Sequence, residues 1–450
     1  MEEEKGFYWE QQAAAEKACL DLIEDGKRQN TTLASFEEKL LQQTSSRLLS
    51  WVDHLTLRAS GQVREKLGAL GFVRRPDKVQ EALYHPGALL PAILLSSDPS
   101  GPDQGVALKV ESIADFLQVN GLQAEIEGGL FCPLRRALLG REKGVELSVV
   151  ERRGTGDYEP AARDDAYLRT YLEAEEAWQT RPRTGEDEEQ LFAAIFGIAD
   201  RLVEELGPEL AAHIVCRGER SYWLARNFAG RVQQGRHATL GLGWANHDHY
   251  TFRSSRRNFS RLVTLFSHLG FQDRERYYAG AEAGWGAQIM ENPAAGLTLF
   301  LDVDLAPEEV ATEFSREELK ERDRLGTVGL WCALHGDSIL GAGMHHLAAQ
   351  FAFEPLMADL ARFGVAYMAP FSNFPYLKQA FSVAEQWDVA PARVKKLVRD
   401  KMITNEQGER FLSQGAIGSH LENIERREGY KGFNRKNVSA IIRDTDPRRP

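Results

Sequence analysis

The sequence is short of cysteine, of basic charge and of long apolar runs, and each shortage argues against a class of protein. Its four cysteines, Cys19, Cys132, Cys216 and Cys332, lie far apart without a CxxC pair, which disfavours a disulfide framework or a thiolate zinc site. A net charge of -11 argues against a general nucleic-acid binder. The longest apolar run, residues 88–95, is too short to span a bilayer, and the acidic N-terminus resembles no secretory signal. We therefore expect a soluble, cytoplasmic protein without nucleic-acid or membrane partners.

The sequence does contain an internal repeat. Residues 53–60 (DHLTLRAS) are similar to residues 248–255 (DHYTFRSS), and both stretches lead into a helical segment that ends in Leu-Gly-Phe. Internal similarity of this kind indicates duplicated structural units. A chain of 450 residues is also long enough for two or three domains.

Hydrophobic periodicity divides the chain into four parts. It predicts N-terminal helices over 1–50, a first unit over 51–153, a helical connector over 154–240 and a second unit over 241–450. In each unit a strand, a helix and further strands occur twice, which predicts an α+β fold of paired βαβββ modules. Within the second unit we predict a charged helix over 307–324, a strand over 365–368 and an insertion over 375–402.

Three polar residues of the second unit, His249, His346 and Glu422, fall on three different predicted strands. If they share one face of a sheet, two imidazoles and one carboxylate suit a divalent transition metal. A triad of this composition leaves Fe(II) with open positions for a substrate and dioxygen. Arg253 follows His249 by four residues, on the same strand face, where its guanidinium would grip a carboxylate of a 2-oxo acid or a dicarboxylate.

The pattern alone leaves other ligand sets open. Eleven histidines give many chance combinations, and a strand histidine is often only a hydrogen-bonded core residue. His247 lies two residues before His249 and is an alternative ligand on the same face of a regular strand. Asp302 or Asp304 would be an alternative source of the carboxylate.

Four short motifs occur in order along the second unit: HYTFR at 249–253, LTLFLDVDL at 297–305, MHHL at 344–347, and GSHLENIER at 418–426 followed by Gly432-Phe433. Together they resemble the 2-oxoadipate dioxygenase/decarboxylase family, also called 2-hydroxyglutarate synthases, of the vicinal-oxygen-chelate superfamily. The resemblance covers about residues 241–444. It implies duplicated vicinal-oxygen-chelate-like βαβββ units that form curved, partly open sheets. It also implies that His249, His346 and Glu422 bind Fe(II), with Arg253 as the catalytic and substrate-binding carboxylate clamp.

The resemblance also implies an activity. Members of this family bind a small 2-oxo acid, activate dioxygen, release carbon dioxide and leave a hydroxy acid. Two departures from the family pattern concern the second histidine motif. His345 stands where the family has Asn, so either His345 or His346 would face the metal, although strand alternation allows only one. After the histidine of this motif the family pattern has a Thr and often an Arg, and residues 347–350 (LAAQ) contain neither. The identity of the substrate is therefore not implied by the resemblance.

The first unit lacks most of these ligands. His54 and Arg58 match the first histidine and the arginine of the second unit, but alignment places Gly105 and Ser148 at the other two ligand positions. One ligand cannot hold iron, so we predict a degenerate, metal-free unit that supports the fold or an interface.

Three classes of function remain for the whole chain. The first is an Fe(II)- and dioxygen-dependent dioxygenase/decarboxylase of a small 2-oxo acid. The second is a non-oxidative, metal-dependent isomerase or lyase of the same superfamily, and the third is a non-catalytic binding protein. The sequence indicates no oligomeric state.

Overall fold

Two eight-stranded sheets organise the chain, in a computed structural model that describes residues 8–76, 78, 80–435 and 445–448. Both sheets are mixed and curved, and together they give the α+β fold of duplicated vicinal-oxygen-chelate-like units that the sequence predicts. The exact domain division remains a prediction.

The first sheet has the strand order β2-β3-β4-β1-β5-β8-β7-β6. Its strands are β1 (Val52–Arg58), β2 (Val73–Arg74), β3 (Ala82–Tyr84), β4 (Ala92–Ser96), β5 (Gln104–Val110), β6 (Ile126–Glu127), β7 (Leu134–Glu142) and β8 (Val145–Arg152).

The second sheet has the order β10-β11-β12-β9-β13-β18-β15-β14, and β16 and β17 form a separate ribbon. Its strands are β9 (His247–Arg253), β10 (Gln272–Tyr278), β11 (Trp285–Asn292), β12 (Leu297–Asp304), β13 (His346–Gln350), β14 (Ser372–Phe374), β15 (Leu377–Phe381) and β18 (His420–Arg426). The ribbon consists of β16 (Gln386–Trp387) and β17 (Ala416–Ile417).

The two strand orders correspond position by position. In both sheets the central antiparallel pair, β1 with β5 and β9 with β13, is flanked on each side by a parallel neighbour. Each sheet therefore contains two βαβββ modules whose first strands meet at the centre. The repeat at 53–60 and 248–255 lies largely on the two equivalent strands β1 and β9.

Thirteen α-helices accompany the sheets in the described part of the chain. They are α1 (Ala13–Gln29), α2 (Thr31–Lys39), α3 (Gly61–Ala69), α4 (Ile113–Val119), α5 (Asp165–Gln179), α6 (Glu188–Leu206), α7 (Pro208–Leu224), α8 (Phe228–Ala238), α9 (Phe259–His268), α10 (Thr327–His335), α11 (Phe353–Ala361), α12 (Pro391–Arg399) and α13 (Asn405–Gln414).

Several helices begin at side chains that accept a hydrogen bond from the first turn. Asn30, Ser60 and Ser112 accept backbone N–H bonds at the starts of α2, α3 and α4, and Pro208 occupies the first turn of α7. Such residues satisfy or remove N–H groups that have no partner within the helix.

Two large apolar clusters form the cores. One joins α1 and α2 to the first sheet, and the other joins the connector helices α5–α7 to α9 and the second sheet. The predicted helical connector is thus packed as part of the second core.

None of the helices that the structure describes is long and apolar enough to cross a membrane.

The prediction of a charged helix over 307–324 is wrong. Only Pro307–Glu309 forms a short 3-10 turn, and the rest of the segment consists of turns and loop. The segment is held in a non-helical path by Arg256. The guanidinium of Arg256 donates to the carbonyls of Asp304 and Lys320 and to the Glu309 carboxylate. These tertiary bonds fix the segment as a loop despite its helical composition.

The predicted strand over 365–368 and the predicted insertion over 375–402 also need correction. The first is reduced to an isolated bridge between Tyr367 and Ser382. The second begins too early, because β15 is part of the sheet and pairs with β18. The inserted part is the segment between β15 and β18, which carries α12, α13 and the small ribbon.

Candidate metal centre

His249, His346 and Glu422 come together in the second sheet. One ligand atom from each residue lies within 4.8 Å of the other two, and the residues are only 2%, 6% and 1% exposed. Oε2 of Glu422 lies 3.0 Å from Nε2 of His346 and 3.4 Å from Nε2 of His249. The arrangement supplies two nitrogens and one oxygen to a single point.

The strand register explains this convergence. Ala348 of β13 is paired with His249 of β9 on one side and with Glu422 of β18 on the other. His346 lies two residues before Ala348 and therefore on the same face of β13. Ala348 thus places only a methyl group between the two flanking candidate ligands.

A β-bulge places Asp248 beside the first of these histidines. The pairing of β9 with β13 shifts between His247 and His249, so Asp248 is the extra residue. Its Oδ1 lies 2.9 Å from Nδ1 of His249. Arg426 grips the same carboxylate through two bonds of 2.7 and 3.0 Å. A carboxylate on the far nitrogen fixes the ring orientation and tautomer of a metal-binding histidine.

The same bulge removes His247 from the candidate ligands. Its ring nitrogens lie 3.1 and 3.3 Å from the carbonyls of Trp244 and Gly296, away from the cluster. The expectation that His247 shares a face with His249 holds only for a regular strand, and this strand is irregular at that point.

Gln379 orients the carboxylate ligand candidate. Its amide nitrogen on β15 donates a 2.8 Å hydrogen bond to Oε1 of Glu422. Oε2 is then left to face the two histidines.

The cluster perturbs the pKa values of its own members. Burial raises the pKa of Glu422, but the two histidines outweigh this effect and lower it to about 2. Burial lowers the pKa of His249, but the Glu422 and Asp248 carboxylates raise it to about 9. For His346 burial dominates and lowers the pKa to about 4. The carboxylate is therefore ionised at neutral pH and available to a cation.

Arg253 borders the same small cavity, whose volume is about 70 Å³. Its Nε lies 3.7 Å from Oδ2 of Asp302, and its buried Nε and Nη1 atoms have no hydrogen-bond partner. Burial raises the pKa of Asp302 to about 7 despite the arginine. The rest of the cavity is largely aromatic, lined by Tyr277, Trp285, Phe300, Phe371, Phe381 and Phe433. Two guanidinium donors thus remain open to a ligand in an otherwise apolar site.

The two alternative carboxylates have other contacts. Asp302 faces Arg253 and lies outside the clustered ligand atoms. Asp304 accepts backbone N–H bonds of 2.7, 3.0 and 3.0 Å from Gly326, Val328 and Gly329 at the start of α10. Asp304 therefore caps a helix that sequence reasoning did not find.

The side chains of His345 and His346 do not lie on opposite faces of the strand, as alternation would predict, because both border the same cavity. Regular strand structure begins only at His346, so alternation does not govern the pair. The Nδ1 atoms of the two rings lie 2.9 Å apart, and His345 also borders the cavity while packing edge-on against Trp331. Burial keeps the pKa of His345 well below its usual value, which makes it a neutral neighbour outside the clustered ligand set.

The register of the first sheet confirms the predicted alignment of the two units. Thr56 pairs with Gly105 where the second sheet pairs Thr251 with His346. Ser148 pairs with Ala107, at the position that Glu422 has beside Ala348.

The first unit nevertheless keeps the support of its histidine. Nδ1 of His54 lies 2.7 Å from Asp53, and Arg152 grips Asp53 through bonds of 2.6 and 2.9 Å. Arg58, by contrast, is bound to Asp103 near the surface. The orienting carboxylate–arginine pair is present in both units, whereas the full set of candidate ligands occurs in the second.

Sequence reasoning missed Asp248, Arg426 and Gln379. The first two could have been found from the internal repeat. An Asp precedes the His in both copies, and Arg426 lies in one of two aligned ERR triplets, at 151–153 and 425–427. No repeat or motif points to Gln379, which falls within the predicted insertion over 375–402.

No protein-family model matches the sequence, and no curated protein gives a significant match. Among solved structures, a variant of 4-hydroxymandelate synthase from Streptomyces coelicolor aligns over 88% of this chain and 98% of its own, with 13% identity and a TM-score of 0.30. Methylmalonyl-CoA epimerase from Mycobacterium tuberculosis aligns over 40% and 88%, with 11% identity and a TM-score of 0.24.

A glyoxalase/bleomycin resistance protein/dioxygenase superfamily member from Vibrio splendidus aligns over 22% of this chain and 96% of its own, with 17% identity and a TM-score of 0.17. Similarity at this level carries no argument about activity. The fold assignment rests on the strand order and register of the two sheets.

Proposed function

We propose that the chain is a non-haem Fe(II)- and dioxygen-dependent dioxygenase/decarboxylase that converts a small 2-oxo acid into a hydroxy acid and carbon dioxide. The observation that carries the proposal is the convergence of His249, His346 and Glu422 within 4.8 Å, next to a buried arginine with unused donors.

The residues present fit such an ion. Two imidazoles and one carboxylate match the facial triad of non-haem iron oxygenases, which leaves positions free for substrate and dioxygen. The carboxylate is already ionised, and one histidine is held through its far nitrogen by Asp248. When bound, Fe(II) supplies the redox chemistry of the reaction.

The protein's own groups would bind and orient the substrate. The open Nε and Nη1 donors of Arg253 suit a carboxylate, which a guanidinium holds through two bonds. Phe300 and Phe381 border the cavity, where aromatic rings exclude water and confine the carbon chain. Holding the 2-oxo acid in one orientation beside the ligands lowers the entropic part of the barrier.

Oxygen uptake tests this proposal directly. Protein purified without chelator and loaded anaerobically with Fe(II) is mixed with a panel of small 2-oxo acids, and dioxygen and carbon dioxide are measured together. We expect equal consumption and release with at least one acid, and loss of both in Glu422→Ala. Turnover without oxygen, supported by Mn(II), Ni(II) or Zn(II), would instead indicate an isomerase or lyase. A protein that binds no metal would contradict both readings and favour a binding protein.

A further inference from the structure

A second and much larger cavity lies between the two units. Its volume is about 680 Å³, and it is lined by parts of β1, β5, β9 and α7 together with the loop that precedes β12. It shares no lining residue with the cavity of the metal centre. Volumes of this size are typical of sites for small molecules and cofactors.

The walls of this interunit cavity are basic, although the chain as a whole is acidic. Basic residues outnumber acidic ones two to one along the lining, against a net charge of -11 for the protein. A concave surface with one sign of charge and low-dielectric walls concentrates ions of the opposite sign. The ligand that suits it is therefore an anion.

Two carboxylates of the cavity lining, one in each unit, are each paired with an arginine of the same lining. Asp53 is gripped by Arg152 and Asp248 by Arg426, each through two bonds. These two equivalent pairs of the duplicated units both line the cavity. Most other cations of the lining also have a carboxylate partner, such as Arg220 with Glu111 and Arg217 with Glu175. A ligand is therefore expected at the lining cations that have none.

Lys109 on β5 is the principal cation without a partner. Among the described residues its ammonium makes no hydrogen bond and no ion pair within 4.0 Å, although it lines the cavity. Burial lowers the pKa of Lys109, while the charges of Asp53 and Asp248 act in the opposite direction. An ammonium that is desolvated but unpaired is stabilised by any anion that reaches it.

Arg75 is a second such cation on the lining. Its guanidinium lies 5.0 Å from the ring centre of Tyr84, its Nε atom is buried without a hydrogen-bond partner, and no carboxylate of the described residues pairs with it. It lines the same cavity as Lys109, and this arrangement is expected for a ligand that carries more than one negative group.

We propose that the interunit cavity binds a small, multiply charged oxyanion, carrying either phosphate groups or several carboxylates, with Lys109 and Arg75 as its principal contacts. The cavity is distinct from that of the metal centre, although Asp248 borders it and also contacts His249. Its occupancy does not depend on the reaction proposed at the metal centre.

Calorimetric titration of the full-length protein at low ionic strength tests this, with inorganic pyrophosphate and citrate as probes. We expect one site per chain for at least one of them. Lys109→Met and Arg75→Met should each weaken binding by about tenfold or more, because a hydrogen bond to a charged group contributes on that scale. Preference for pyrophosphate or for citrate distinguishes a phosphorylated ligand from a polycarboxylate.

Two control variants make the result decisive. Lys66→Met removes an exposed lysine of α3 and should leave binding unchanged. Arg253→Met alters the metal-centre cavity and should also retain binding. Failure of the wild type to bind either probe would overturn the proposal, as would equal affinity in Lys109→Met, or loss of binding in Arg253→Met alone. Unchanged unfolding midpoints of the variants show that any loss is not due to misfolding.

Discussion

Asp248 illustrates which functional residues a strand pattern can identify. Alternation predicts that His249 and Arg253 share a face, and the structure places both at one cavity. Alternation also predicts that Asp248 points away from His249, and the β-bulge reverses this. Bulges depend on the pairing of two distant strands, so the supporting carboxylate was not predictable from the spacing of β9 alone.

The duplicated unit supplies a matched control for the proposed ligands. His249→Ala removes a nitrogen from the clustered set and should abolish iron binding, whereas His54→Ala alters the equivalent histidine, whose neighbours Gly105 and Ser148 offer no ligands. Metal content measured after anaerobic loading with Fe(II) checks both. Loss of metal in His54→Ala would show that the centre belongs to the other unit.

The aspartates behind the two histidines allow a second matched comparison. Asp248→Asn should lower Fe(II) affinity by roughly 10- to 100-fold, the usual effect of losing a group that orients a metal-binding histidine. Asp53→Asn removes the same contact from His54 and should leave the affinity unchanged. Competition with a metal-binding dye measures both. Equal effects of the two changes would mean that they act through overall stability.

The pair of Arg253 and Asp302 predicts a pH dependence of substrate binding. Below pH about 7 Asp302 is protonated, so the charge of Arg253 is free for a substrate carboxylate. Above that pH the ionised Asp302 competes for the guanidinium. We expect 2-oxo acid affinity to fall on the order of tenfold as pH rises through this range.

Calorimetry across that pH range measures the effect, with Asp302→Asn as its test. The asparagine cannot ionise, so the affinity of this variant should stay flat and close to the low-pH value of the wild type. An identical decline in both proteins would remove Asp302 from the explanation.

At the scale of elements, sequence patterns predicted the central strands and the connector helices well, because their hydrophobic periodicity coincides with burial. They failed over 307–324, where Glu309, Glu313 and Arg316 bind side chains from outside the segment. Their partners are Arg256, Arg276 and Asp273. They also missed α10, whose first turn is held by Asp304 from another element. Local composition carries no information about such partners.

The cap of α10 gives a prediction at this scale. Asp304→Ala leaves three N–H groups without their acceptor and should destabilise the protein by about 2 kcal/mol. Asp323→Ala, an exposed change in the preceding loop, should have little effect. Urea denaturation measures both. A negligible loss in Asp304→Ala would mean that other acceptors replace the carboxylate.

At the scale of the whole molecule, the two sheets are tied together by shared contacts. Arg220 of α7 binds Glu111 of the first unit and the Tyr250 hydroxyl of the second. Near the N-terminus, the Glu16 carboxylate accepts a 2.9 Å bond from the Gly429 N–H. Repetition within the sequence predicted two units but could not predict how closely they are joined.

These contacts predict cooperative unfolding of the two units. Urea transitions followed by tryptophan fluorescence and by far-UV circular dichroism should coincide, and Arg220→Met should lower both midpoints together. Two resolved transitions in the wild type would show that the units unfold independently.

The pairing of Gly105 with Thr56 also bears on how a second ion site could be built. In the first unit the histidine is already oriented by its aspartate and arginine, so Gly105→His and Ser148→Glu would complete the ligand set. A Cβ atom at Gly105 would meet the Thr56 Cβ at 3.1 Å. The Thr56 side chain is therefore the nearest obstacle to a histidine at position 105, and relaxing it is a first step for anyone who redesigns the chain to carry two ions.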